Sequence, residues 1–346
     1  MNSKNIFVGA LLLAGFFSAP QAHAYKNWWC GGEPVVWNNP FAMVRNTFSI
    51  PAGGQREGSL DNAIGRWRGV IGMEDMVSKS PFVTTGSTIW HFNFQNDAAV
   101  VPRSNIGGNN GLTQMFHDGC FFGGDAEWIE ADVMVASDLG FAPVGETTLG
   151  TSGRLTFLHE LGHAHGLNHD QRYNHMRATQ PRPRVGGTGE TVDVLPDDAK
   201  GGRFLYPTGN KEINLFASAH RRRSNDTIVA NNTGTATVCS KGGDSLTFRS
   251  TVGNNGTVNL KQTERWWVSK SGQAHNGVGG IEIGDWANGT FLANVVNTRE
   301  LTFKLPALPA GTYFLYHGVD MLDEHDESRE DDNVVREVLM IQVNNC

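Results

Sequence analysis

The chain is poor in charge, in cysteine and in long apolar runs, and each shortage excludes something. Only 18% of its 346 residues are Asp, Glu, Lys or Arg, while 42 are glycine. Long solvent-exposed helices need more charge than that, so strands and loops should dominate. The 28 Lys and Arg residues are outnumbered by 35 Asp and Glu, for a formal net charge of −7. That balance argues against a nucleic-acid partner and against an anionic membrane surface. Beyond the first two dozen residues, no stretch is apolar enough to cross a bilayer, so no transmembrane segment is expected.

Residues 1–24 read as an export signal. Lys4 gives a positive start, Ile6 to Phe17 is apolar but too short to span a membrane, and Ala22-His23-Ala24 fits the A-x-A cleavage pattern. Tyr25 is then the expected mature N-terminus, and the protein is expected to be secreted to an extracellular or periplasmic space. Export permits disulfides. The four cysteines, Cys30, Cys120, Cys239 and Cys346, allow three pairings. Two lie in each half of the chain, and the expected pairs are Cys30–Cys120 and Cys239–Cys346.

What the chain does have is the run His159-Glu160-Leu161-Gly162-His163-Ala164-His165-Gly166-Leu167-Asn168-His169. Four residues of helix turn about 400°, so His159 and His163 share one face and can share one metal ion. Glu160 sits beside that pair, in reach of a metal-bound water. Gly166 lets the chain leave the helix through a positive-φ bend, and His169 then returns as third ligand. Three neutral imidazoles leave a zinc ion its full charge and an open position for water. Zinc brings that water's pKa to about 7, and a carboxylate completes its activation. Thr151 and Ser152 are placed to cap the helix. His165 points away from the ligand face and reads as a solvated or supporting residue.

This H-E-x-x-H-x-x-G-x-x-H run, followed directly by Asp170, resembles the metzincin zinc endopeptidases. The strand Glu130-Ala131-Asp132-Val133-Met134-Val135 and the closing Leu195-Pro196-Asp197-Asp198 to Leu205-Tyr206 are similar to the matrixin pattern within that clan. The resemblance spans residues 25–208 and implies a twisted sheet over a zinc helix, with a C-terminal helix. It implies zinc on His159, His163 and His169, Glu160 as general base, and Met176 in a Met-turn beneath the metal. It also implies that the loop after that turn walls the pocket for the residue after the scissile bond. Arg177, Arg182 and Arg184 lie in this loop, and one guanidinium in the pocket would favour an acidic side chain. The chain departs from the pattern in three places. The run that binds a structural zinc is missing, Met176-Arg177-Ala178 replaces Met-Tyr-Pro, and no substrate-pairing edge strand can be placed in the short stretch 137–150. The resemblance also raises Cys30 as a latency thiolate on zinc, although it lacks the P-R-C-G-x-P-D context.

The rest of the chain is read from patterning. Strands are expected at 35–37, 44–50, 88–94 and 130–135, a helix at 57–71, and loops at 104–111 and 180–189. His91, His117, Asp118 and Asp125 fit no ligand spacing and read as loop residues. Past residue 208 helical periodicity ends. Runs at 236–239, 246–252, 266–269, 301–305, 312–319 and 334–343 suggest a β-sandwich over 212–346. Its Pro309-Ala310-Gly311-Thr312-Tyr313 and Glu327 to Asn333 segments resemble CARDB-type immunoglobulin-like modules, which implies surface or matrix attachment. Asp320, Asp323, Glu324, Asp326 and Glu327 offer oxygens for calcium, but without the D-x-D-x-D-G spacing they read first as a solvated hairpin loop.

The fold class expected is therefore α+β: a metzincin-like zinc peptidase domain followed by an all-β immunoglobulin-like sandwich. The function expected is hydrolysis of peptide bonds in a protein or peptide substrate. The competing readings are a zinc amide hydrolase of cell-wall material and a surface-binding adhesion protein with a vestigial peptidase domain.

Overall fold

The computed structural model describes residues 26–30, 32–85, 92–118, 126–143, 151–178, 182–184, 186, 193–223, 227–270 and 279–346. Residues 1–24, read above as an export signal, lie outside them, as do Tyr25, Cys120, His91, Asp125 and most of 179–192. No described helix is long and apolar enough to cross a membrane.

The N-terminal half is built on five strands: β1 (Phe41–Asn46), β2 (Val77–Thr84), β3 (Asn96–Val101), β4 (Gly111–Asp118) and β5 (Glu127–Ala136). They lie in the order β2-β1-β3-β5-β4, and β4 alone runs antiparallel to its neighbour. The chain order and the sheet order differ because the connections between the parallel strands cross over. One face of β5 sends Ala131, Val133 and Val135 into the main core, and the other sends Met134 and Ala136 into a smaller cluster with Ala99, Val101 and Ile106. That alternation is the period-2 rule of a sheet covered on both sides.

Two helices pack on the main-core face. Helix α1 (Gln55–Arg68) buries Leu60, Ala63, Ile64 and Trp67, and the Trp67 indole N–H donates to Leu158 O at 2.9 Å. Helix α2 (Gly153–Ala164) starts where Ser152 accepts a hydrogen bond from Leu155 N at 3.2 Å, as a capping serine does. A third helix, α3 (Pro196–Leu205), closes this half, with Pro196 at its first turn.

Several expected elements shift. The strand expected at 44–50 is β1, and residues 47–50 turn away from it. At 35–37 only Val36 makes an isolated bridge, to Glu127. Of the strand expected at 88–94, residues 92–94 are not extended pairing partners, and the strand begins at Asn96. β4 begins where a loop was expected to end, and β2 was not expected.

The C-terminal half is a β-sandwich. One sheet joins β6 (Leu215–Ser218), β8 (Ser245–Asn254) and β11 (Val295–Lys304). The other runs in the order β7-β13-β12-β9-β10 through β7 (Thr235–Cys239), β9 (Leu260–Ser269), β10 (Ile281–Phe291), β12 (Gly311–Gly318) and β13 (Val334–Asn344). Between the sheets Phe248 stacks on Trp266, with Leu315 and Ile341 beside them. Each of the six expected strands overlaps an observed one; β6, β10 and a short antiparallel pair, His220–Arg222 with Ile228–Ala230, are additional. Cys239–Cys346 is a disulfide. Cys30 is also disulfide-bonded, which removes it as a thiolate for a metal. Its expected partner Cys120 lies outside the described residues.

The halves are fastened, not merely tethered. Tyr173 donates to Ser218 Oγ or His220 O, both at 2.8 Å, and packs with Leu195, Phe216 and Ile228. Arg66 of α1 holds Asp331 through two hydrogen bonds of 3.0 and 2.8 Å, and Arg329 reaches back to Gly65 O at 2.8 Å.

Candidate metal centre

The second half of α2 and the bend after it bring three imidazoles together. His159, His163 and His169 place one ligating nitrogen each within 4.8 Å of one another. His169 Nε2 is 3.1 Å from His159 Nε2 and 3.1 Å from His163 Nε2. Gly166 makes the return possible: its φ is 101°, and a side chain there would meet Trp128 Nε1 at 3.0 Å and Val35 O at 3.2 Å.

The outer nitrogens fix the roles of the inner ones. His159 Nδ1 donates to His175 O at 2.6 Å, and His163 Nδ1 donates to Leu167 O at 2.7 Å. Each Nε2 of this pair therefore presents a lone pair inward. Burial lowers the pKa of His159 well below its ordinary value, with Arg182 and His163 adding to the effect, and burial with His169 takes His163 down to about 3. Neutral imidazoles converging at this spacing fit a cation. Zinc–nitrogen bonds of roughly 2.0–2.1 Å would set ligand nitrogens roughly 3.3 Å apart. This His triad is a metal-binding geometry, and among the described residues it is the sole grouping of its kind.

Glu160 lies beside it, with Oε1 4.0 Å from His159 Nε2. The Thr113 hydroxyl of β4 is 2.8 Å from Glu160 Oε2 and 2.9 Å from its backbone oxygen. Burial pushes the Glu160 carboxyl up to about 7, against the Thr113 hydrogen bond and the charge of Arg182. Gly111 lets β4 come this close, since a Cβ there would lie 2.5 Å from Glu160 Oε1 and 2.6 Å from Thr156 Cγ2.

Met176 is buried under the helix, where a Cβ on Gly162 would collide with its sulfur. The turn that carries it is braced from α3. Asp198 accepts hydrogen bonds from His175 N at 2.7 Å and Met176 N at 3.3 Å, and Asn174 Nδ2 donates to Asp197 at 2.9 Å. These two acids read in sequence as first-turn helix residues, and their spacing alone gave no sign of this second use.

The three loop arginines are all buried but do different things. Arg177 donates to the carbonyls of Gln171 and Arg172 at 2.8 and 3.2 Å. Arg184 lies against the sandwich, where its carbonyl accepts the Ser218 hydroxyl. Arg182 alone of the three lines the metal cleft, a space of about 610 Å³ walled opposite by residues 108–113.

Three expectations need correction. His165 is outside the ligand group, as expected, but of its two readings the solvated one fails. It is buried between Phe41 and Trp67 at ring distances of 5.2 and 5.1 Å, and its Nδ1 donates to Leu161 O at 2.6 Å. His117 and Asp118 sit at the far end of β4, where the His117 ring meets Trp128 edge-on at 5.8 Å. The acids read first as a solvated hairpin loop are only partly so: Asp323, Glu324 and Asp326 are exposed, but Asp320 and Glu327 are buried, where Asp320 accepts from Gln262 Nε2 at 2.6 Å, Glu324 N at 3.0 Å and His325 N at 3.1 Å, and Glu327 accepts from Leu215 N.

No family model and no curated protein matches the chain. Among solved structures, it is similar to the CARDB domain of the PF1109 protein from Pyrococcus furiosus, at 16% identity over 40% of this chain and 100% of that one, with a TM-score of 0.26. A lytic polysaccharide monooxygenase from Streptomyces lividans matches at 16% identity over 32% of this chain and 59% of that one, with a TM-score of 0.20. A family 123 glycoside hydrolase from Clostridium perfringens matches at 12% identity over 39% and 27%, with a TM-score of 0.23. Likenesses this distant carry no argument about activity.

Proposed function

We propose that the chain is a secreted zinc-dependent endopeptidase of metzincin type. Residues 25–208 form the peptidase domain, and residues 212–346 form an accessory sandwich that attaches it to a surface or matrix. The observation that supports this most is β4. It is an edge strand, its outer side has no strand partner among the described residues, and its first half walls the cleft beside the His triad. An extended peptide added along that edge would satisfy its open N–H and C=O groups and lie across Glu160 and the three histidines. A glycan has no such row of backbone groups.

Zinc, when bound by His159, His163 and His169, supplies Lewis acidity toward a carbonyl oxygen and toward water. The chain does the rest. The hydrogen bonds from His159 and His163 to backbone carbonyls hold the ligating nitrogens in place. Glu160 takes a proton from the attacking water and passes it to the leaving amine. Thr113 keeps that carboxylate turned toward the cleft.

The test is to incubate purified protein with a proteome-derived peptide mixture, with and without chelator, and to read cleavage by mass spectrometry and zinc by metal analysis. We expect about one zinc per chain and chelator-sensitive cleavage. Glu160→Ala should keep the zinc and lose about 10²–10⁴-fold in rate. A metal-free chain that still cleaves, or a variant that loses zinc and activity together, would overturn the reading. Hydrolysis of cell-wall amides without cleavage of protein peptides would move the same chemistry to that substrate class. Surface binding with no hydrolysis would leave an adhesion protein with a vestigial site.

A further inference from the structure

The sheet of the N-terminal half carries a second cavity, which shares no lining residue with the metal cleft. It is a trough of about 630 Å³, an ordinary size for a small-ligand cleft, roughly 300–1,000 Å³. Ala42, Val44 and Ile129 line it. Ala42 and Val44 alternate along β1 with Phe41 and Met43 of the main core, so the trough lies on the face turned away from α1 and α2. Two of its lining rings stand out in solvent, Phe82 at 76% exposure and Phe94 at 75%. The ring centres of Phe94 and Phe92 are 4.4 Å apart, and those of Phe92 and Phe116 are 5.3 Å apart. Phe94 is also held at φ 62°, a region that bulky side chains rarely adopt. What holds it is Glu130, a fully buried carboxylate whose Oε2 accepts from Asn93 N at 2.8 Å and from Phe94 N. The chain thus commits a buried carboxylate and an unfavourable backbone angle to a turn that leaves a phenyl ring in water. Strain of this kind persists where the surrounding contacts over-determine it, and it gathers at ligand sites.

The polar part of the lining says what fits. Asn38, Asn39, Asn93 and Gln95 bring amides, and no Lys, Arg or His is among the described lining residues. The one carboxylate among them, Glu127, already accepts from Asn38 Nδ2. A phosphate or an acidic group would find no cation here, and a metal ion would find a single carboxylate. An extended peptide would find no open row of backbone groups, because β1 is paired on both sides, with β2 and β3. A lipid chain would strip water from the amides and replace none of its hydrogen bonds. A neutral sugar meets both parts of the lining at once. Its C–H faces lie on aromatic rings, and its hydroxyls exchange hydrogen bonds with amides, which both donate and accept. We propose that this trough is a glycan-binding site that takes a short stretch of a neutral polysaccharide. It stands apart from the peptidase reading and holds the chain on glycan-bearing material whatever the metal centre cleaves.

The experiment uses the full chain. It is titrated by calorimetry with cellohexaose, chitohexaose, xylohexaose, mannohexaose, laminarihexaose and maltohexaose. At least one of these should bind the wild type, equally with and without chelator. Phe82→Ala and Phe94→Ala should each weaken that binding by about fivefold or more, the scale of one aromatic face contact. Both rings stand in solvent, so both variants should keep the wild-type unfolding midpoint, and Phe82→Ala decides alone if the Phe94 turn does not tolerate alanine. No binding of any of these sugars overturns the inference, and so does binding that the ring variants leave unchanged. Binding that chelator abolishes places the sugar at the metal centre and overturns it too. In the absence of sugar binding, pelleting with phosphatidylcholine vesicles that is lost in Phe82→Ala would assign the rings to a bilayer. Self-association in sedimentation that is lost in the same variant would assign them to a second copy of the chain.

Discussion

At the scale of single residues, the centre depends as much on what is small as on what is charged. Gly162 lies between His159 and His163 on α2, and Met176 and Trp67 close on the space a side chain there would fill. Replacing a mid-helix glycine by alanine normally helps a helix, by roughly 0.5–1 kcal/mol. Here the sign should reverse. Trp67 is pinned by its hydrogen bond to Leu158 O and Met176 by its braced turn, so neither can yield easily. Gly162→Ala should destabilise the chain by about 1–3 kcal/mol through overpacking, and it should lower zinc affinity by tilting the two histidines apart. Denaturant unfolding and zinc competition would measure both. A more stable variant with unchanged zinc binding would mean that Met176 does not support the site in this way.

At the scale of elements, the decisive contact is between β4 and α2. Gly111 allows it, and Thr113 fastens it to Glu160. Gly111→Ala should push the strand off the helix and free the Glu160 carboxylate. On the peptidase proposal, peptide turnover should fall by about tenfold or more, the scale of a misplaced catalytic group, while zinc binding by the three histidines should be kept. Activity that is unchanged in this variant would argue against the strand as the wall that aligns substrate. This contact also shows where sequence reading stops. The His triad, Glu160, the glycine bend and Met176 were legible because one helix and its exit carry them at fixed spacing. The strand 130–135 and most of the sandwich strands were legible from alternation. β4 was not. Its residues, Gly111-Leu112-Thr113-Gln114-Met115-Phe116-His117-Asp118, carry no clean alternation and follow a Gly/Asn-rich loop. Its place is set by pairing with β5 and by the missing side chain at Gly111. Asp198 was likewise hidden, because its partners are backbone N–H groups more than twenty residues away. Local spacing cannot report such a contact.

At the scale of the whole molecule, a buried acid of the sandwich ties stability to pH. Glu327 accepts hydrogen bonds from Leu215 N, at the first strand of the sandwich, and from Asn333 Nδ2 at 3.0 Å. Burial pushes its carboxyl from 4.5 up to about 9, with Asp320 and Glu330 adding to the rise and the two hydrogen bonds opposing it. The sign of the resulting pH dependence follows from the direction of that shift. Below pH 4.5 both the folded and the unfolded chain hold this proton, and its contribution to stability is complete. Between pH 4.5 and about 9 the unfolded chain has released the proton and the folded chain has not, so each rise in pH favours unfolding. One such group contributes at most about 1.4 kcal/mol per pH unit. Glu327→Gln keeps the shape and one acceptor, and its new N–H₂ can donate to Asn333 Oδ1, which has no hydrogen-bond partner among the described residues. The wild-type Tm should therefore fall as pH rises from about 6 to about 9, and the Glu327→Gln Tm should fall less, ending above the wild type at the alkaline end. Thermal unfolding of both proteins across that range tests it. Parallel curves would mean that Glu327 is ionised in the folded chain and that something other than a proton neutralises it.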